Sequence, residues 1–74
     1  MIRLPSLSAR QVVGVLKRAG FVAHHQTGSH LFLSHPNRRA TTTVPIHGED
    51  LPRWLLKLII RQAGLTEDQF REIL

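Results

Sequence analysis

Between Ser8 and Gly20 the apolar residues Val12, Val13, Leu16 and Ala19 recur at helical spacing, with Arg10, Lys17 and Arg18 on the opposite side. Ser8-Ala9-Arg10-Gln11 fits a capping box, so a helix is expected to start there and to stop at Gly20. Gly14 lies on the basic side between Arg10 and Lys17, where it costs ~1 kcal/mol against Ala unless a close approach requires it. From Phe21 the period changes to two. Phe21 to Gln26 and His30 to His35 read as two antiparallel strands joined by a turn at Thr27-Gly28-Ser29. Pro36-Asn37-Arg38-Arg39 forms the next turn, and Ala40 to Val44 is β-branched enough for a third strand ending at Pro45. In the second strand Leu31 and Leu33 share one face, which is expected to pack on helices; His30, Phe32 and Ser34 share the other, more open face.

A second helix follows His47-Gly48-Glu49-Asp50, with Asp50 or Leu51 as its cap and Pro52 in its first turn. At ~100° per residue, Arg53, Lys57 and Arg61 occupy a narrow arc while Trp54, Leu55, Leu56, Leu58, Ile59 and Ile60 cover most of the rest. That is more apolar surface than a small sheet covers. Gly64 closes this helix, and Thr66-Glu67-Asp68-Gln69 is a second capping box, opening a short helix with Phe70, Ile73 and Leu74 on one side. The expected fold is α+β, in the order α-β-β-β-α with a short C-terminal helix, as one domain over residues 1–74.

A length of 74 residues leaves no room for a cofactor domain, and no cofactor is expected. A chain this short buries roughly 60 % of its unfolded surface, so association with a second copy or another protein would add needed stability. There is no cysteine for disulfides or a thiolate metal site. Four aromatic residues leave the core to Leu, Ile and Val. The beginning of the chain, from Met1 to Pro5, carries no apolar run of signal-peptide length, and no window is long and apolar enough to span a bilayer, so a cytoplasmic protein without membrane contact is expected.

Charge divides the chain. Residues 1–48 contain Arg3, Arg10, Lys17, Arg18, Arg38 and Arg39 and no acid, whereas residues 49–74 carry four cations and five acids. All five histidines lie in the first part. A polyanion, most simply a nucleic acid backbone, suits such a surface, against the plainer alternative of a solvated basic face. The histidines do not assemble a metal site from local spacing: His24 and His25 are expected to point to opposite faces of a strand, and no carboxylate precedes Glu49. Ser29 beside His30 is poorly arranged for acyl transfer. Cleavage of RNA by its own 2′-hydroxyl needs fewer parts: a base, donors for the phosphate and an acid for the leaving oxygen. Imidazole titrates near neutrality and serves such chemistry. His30 is the best placed, since it follows a Gly28-Ser29 turn whose amides are suited to a phosphate and lies on the open face. Its alternative is an ordinary half-exposed strand histidine.

The runs Gly28-Ser29-His30, His35-Pro36, Thr43-Val44-Pro45-Ile46-His47-Gly48 and Ile60-Arg61-Gln62-Ala63-Gly64-Leu65-Thr66, in this order and with these short gaps, resemble the HicA, or YcfA-like, family of toxin ribonucleases. The resemblance extends from Leu7 to Phe70. It implies a double-stranded-RNA-binding-like fold, cleavage of single-stranded mRNA in the cytoplasm with His30 as the catalytic residue, and a HicB-type antitoxin that covers the active face. Arg10, Lys17, Arg18, Arg38 and Arg39 would then position phosphates, with Gly28 and Ser29 shaping the site and His35 and His47 as secondary candidates. Relatives usually carry Gly-Thr early in the second helix, where this chain has Trp54-Leu55. Trp54 is expected to fill a gap in the core, its alternatives being a stack on a base or a partner. Two other readings of the chain are a non-catalytic RNA-binding module and a basic subunit that docks on an acidic protein.

Overall fold

In a computed structural model that describes residues 3–74, Ser8 caps helix α1 (Ala9–Arg18) as the pattern predicts. Met1 and Ile2, part of the reading of the chain start, lie outside the described residues. The Gln11 amide donates to the Ser8 hydroxyl at 3.2 Å, and the Ser8 amide donates to the Gln11 side chain at 2.9 Å. At the other end, the Gly20 amide donates to the Lys17 carbonyl at 3.0 Å and the Phe21 amide to the Leu16 carbonyl at 2.9 Å. This closure needs a left-handed residue, and Gly20 supplies it with φ 102°. Val12, Val13, Val15 and Leu16 are buried.

Strands β1 (Val22–Thr27), β2 (His30–Ser34) and β3 (Thr41–Pro45) form an antiparallel meander in the order β1-β2-β3. Leu31 pairs with Val44 and Leu33 with Thr42 and Ala23, which sets one face; Leu33 and Val44 are fully buried there. Helices α1 and α2 (Arg53–Gln62) pack against β3, and α3 (Glu67–Ile73) packs against both helices. Phe70 of α3 is fully buried, and α3 has the predicted Thr66–Gln69 capping box. The fold is the α+β, double-stranded-RNA-binding-like arrangement, with helices on one face of the sheet.

Four details differ from the sequence expectation. Thr27 belongs to β1 and pairs with His30, so the hairpin turn is only Gly28-Ser29. The N-cap position of helix α2 is Pro52 rather than Asp50 or Leu51, and no side chain caps the helix there. The reason is tertiary: Asp50 pairs with Ser8 as an isolated antiparallel bridge, and the Leu51 amide donates to the Leu7 carbonyl at 2.8 Å, so both residues are held extended ahead of the helix. Trp54 does not fill the core. It is 68 % exposed, because Leu56, Ile59 and Ile60 take the inward face of α2. Finally, His24 and His25 do not point to opposite faces. A bulge between Ala23 and His25 breaks the alternation, so that His25 pairs with Phe32 on the open face and His24 reaches Ser34 on that same face.

Candidate functional site

The open face of the sheet carries the histidines. His30 begins β2, is exposed, and lies between Thr27 of β1 and Pro45 of β3. Its ring makes no hydrogen bond among the described residues. The preceding turn has φ +59° at Gly28 and no positive φ at Ser29, the sign pattern of a type II′ hairpin, whose twist matches that of the flanking strands. A Cβ at Gly28 would meet nothing within 4 Å, so backbone conformation, not space, calls for glycine here. The Gly28 carbonyl accepts from Gln26 Nε2 at 3.0 Å. The Ser29 carbonyl accepts from the Ile46 amide at 2.5 Å, which ties the chain after β3 to the turn beside His30. The Gly28 and Ser29 amides themselves have no acceptor among the described residues, and two unpaired turn amides suit an anion.

The cations expected around this site separate into two groups. Arg10, on the first turn of α1, shares a hollow of about 510 Å³ with Ser8, Ile46, His47 and Gly48, at the same end of the molecule as the Gly28-Ser29 turn. Lys17 and Arg18 are at the far end of α1, where Arg18 Nε donates to the Ile73 carbonyl at 3.4 Å. Arg38 and Arg39 are exposed in the turn between β2 and β3, at the end of the sheet opposite His30. His47 is exposed beside Arg10 in the hollow. His35 has a packing role: its ring meets Phe21 edge-on at 5.4 Å, its Nδ1 accepts from the Asn37 amide at 3.1 Å, and it presses against Gly20.

A second group on the open face was not foreseen. His25 stacks on Phe32 with ring centroids 4.6 Å apart and planes 19° from parallel, and His24 Nε2 shares a hydrogen bond with the Ser34 hydroxyl. With Leu33, the threonines of β3 from Thr41 to Thr43 and Gln62 of α2, these residues line a shallow hollow of about 620 Å³. A signal was present in the sequence. In regular alternation His25 would have fallen on the core face with Phe21 and Ala23, an unfavourable position for an unpaired imidazole.

The family model described as HicA toxin of bacterial toxin-antitoxin matches residues 9–65, from the first residue of α1 to just beyond α2. The chain belongs to the HicA toxin family. No curated protein matches it. The HicA match takes in all three strands, the Gly28-Ser29-His30 turn and the hollow on the open face, and leaves α3 outside. Among the described residues no helix is long and apolar enough to cross a membrane.

Proposed function

We propose that this HicA-family toxin is an endoribonuclease in which His30 moves the proton during attack of an RNA 2′-hydroxyl on the adjacent phosphate, and that a HicB-type antitoxin neutralises it by covering the open face. The 2′-oxygen forms a bond to phosphorus as the bond to the 5′-oxygen breaks; one proton leaves the hydroxyl and one reaches the departing oxygen. His30 supplies one of these transfers. The observation that carries the proposal is the placement of an exposed, unpartnered imidazole directly after two unpaired turn amides on a sheet face without acids. Gly28 and Ser29 hold the scissile phosphate through their amides, and Arg10 adds charge at that end. Lys17, Arg18, Arg38 and Arg39 engage other phosphates of the strand. The five residues of β2, at about 3.3 Å each, set Arg38 and Arg39 at least ~16 Å from His30, which suits phosphates several nucleotides along rather than the one being cut.

Replacing His30 with Ala should abolish growth arrest on expression and slow RNA cleavage by at least ~10²–10⁴-fold. The variant should melt like the wild type, because the exposed ring makes no hydrogen bond among the described residues. A folded, fully active His30→Ala protein would refute the assignment. Co-expression of a small acidic protein encoded beside the toxin should restore growth; failure of every such neighbour to bind would remove the antitoxin from the account.

A further inference from the structure

The hollow on the open face has no part in the chemistry assigned to His30. We propose that it is a nucleobase-binding subsite, in which one unstacked base of the RNA lies against the His25–Phe32 pair while the neighbouring phosphate is held at His30. This rests on the ribonuclease reading for its substrate class.

Three observations point to a base. The first is the aromatic pair: two rings 4.6 Å apart and nearly parallel stand in cross-strand register on the solvent face, and His25 is exposed. Rings displayed on an open sheet are a general means of taking up unstacked bases, since every base has a π-face. The second is the polar rim. His24 is held by Ser34, and Thr41 and Thr43 share the same face. These groups offer donors and acceptors to a base edge. The bulge in β1 is what brings both histidines to this side; bulges commonly redirect side chains beside functional sites. The third is charge and distance. No acid occurs in residues 1–48, so nothing on these strands repels a phosphate chain. His25 and His30 are diagonal neighbours on β1 and β2, a relation that places Cα atoms about 7–8 Å apart, within the reach of one nucleotide. The volume of about 620 Å³ lies within the roughly 300–1,000 Å³ of small-ligand sites.

The test uses full-length protein carrying His30→Ala, which keeps RNA uncut. Short single-stranded RNAs carry 2-aminopurine at each position in turn, with matched RNAs carrying an abasic nucleotide there instead. At one position relative to the bound phosphate, 2-aminopurine fluorescence should be quenched, and the abasic RNA should bind roughly 5- to 150-fold more weakly. Adding His25→Ala should remove the quenching and produce a similar loss, with no further loss on abasic RNA. His25 is exposed, so this substitution leaves the core intact. Equal binding of abasic and base-bearing RNA at every position would overturn the proposal and leave the open face to a protein partner. An unaltered affinity in the His25→Ala variant, or no RNA binding at all, would overturn it too. Wild-type protein that fails to cut RNA while quenching persists would sink the ribonuclease reading alone; cleavage without quenching would sink the subsite alone.

Discussion

Replacing Gly14 and Gly20 by Ala is expected to move stability in opposite directions. At Gly14, inside α1, an added Cβ meets Arg18 Nη1 at 3.5 Å, an ordinary contact, so the gain in helix propensity should appear as about 0.5–1 kcal/mol of added stability. At Gly20 the backbone has φ 102° and a Cβ would lie 2.6 Å from His35 Nε2. That ring is held by Phe21 and by the Asn37 amide, so it cannot move aside freely, and the loss should exceed ~1 kcal/mol. Thermal melts should separate the two, since each kcal/mol moves the midpoint of a domain this size by about 4–8 °C. Equal shifts would show that the His35 contact does not constrain the turn. Trp54 gives a further check as the chain's sole tryptophan. Exposed at 68 %, it should be readily quenched by iodide, and Trp54→Ser should change stability by no more than about 0.5 kcal/mol. A protected indole would mean that this face of α2, with Leu58 38 % exposed, is covered in solution.

At the scale of elements, local chemistry was legible and tertiary pairing was not. The capping boxes at Ser8 and Thr66 depend on residues three positions apart and form as the sequence indicates. Ser8→Ala should cost ~1 kcal/mol, measurable by urea denaturation, and a neutral result would mean that the bridge from Ser8 to Asp50 anchors the helix start without the hydroxyl. The start of α2 could not be read the same way, because Asp50 is a suitable cap in isolation, whereas Asp50 and Leu51 are held ahead of the helix by Ser8 and Leu7. The inward position of Trp54 failed for a related reason. A helix that is apolar outside the narrow arc of Arg53, Lys57 and Arg61 shows no unique inner face, and the choice of Leu56, Ile59 and Ile60 depends on how α2 meets β3. The bulge in β1 depends on which residues of β2 lie opposite, a long-range property, and with it went the common placement of His24 and His25.

For the whole molecule, the charge asymmetry of the sequence becomes a spatial one. The sheet and its turns carry no acid: Glu67, Asp68 and Glu72 lie on α3 on the helical side, where Asp68 pairs with Arg71, and Glu49 and Asp50 are exposed in the segment ahead of α2. The cations read as one group are in fact at two ends, because α1 and β2 each separate residues that charge counting treats alike. RNA affinity should therefore fall steeply with salt, and Arg10→Ala should lower the slope of log affinity against log salt by about 0.7 if that guanidinium meets one phosphate. An unchanged slope would remove Arg10 from the interface. His30 stands out in the sequence as a candidate through its motif, and its place on the open face agrees with the period-two pattern of β2. In the proposed reaction the RNA supplies the nucleophile and His30 handles a proton. The most direct measurement is incubation, in EDTA, of wild-type and His30→Ala protein with one single-stranded RNA and with DNA of the same sequence, followed by analysis of the product ends. Wild type should cut only the RNA, leaving a 2′,3′-cyclic phosphate and a 5′-hydroxyl, and His30→Ala should cut neither. Cleavage of the DNA, or undiminished cleavage of the RNA by the variant, would contradict that reaction.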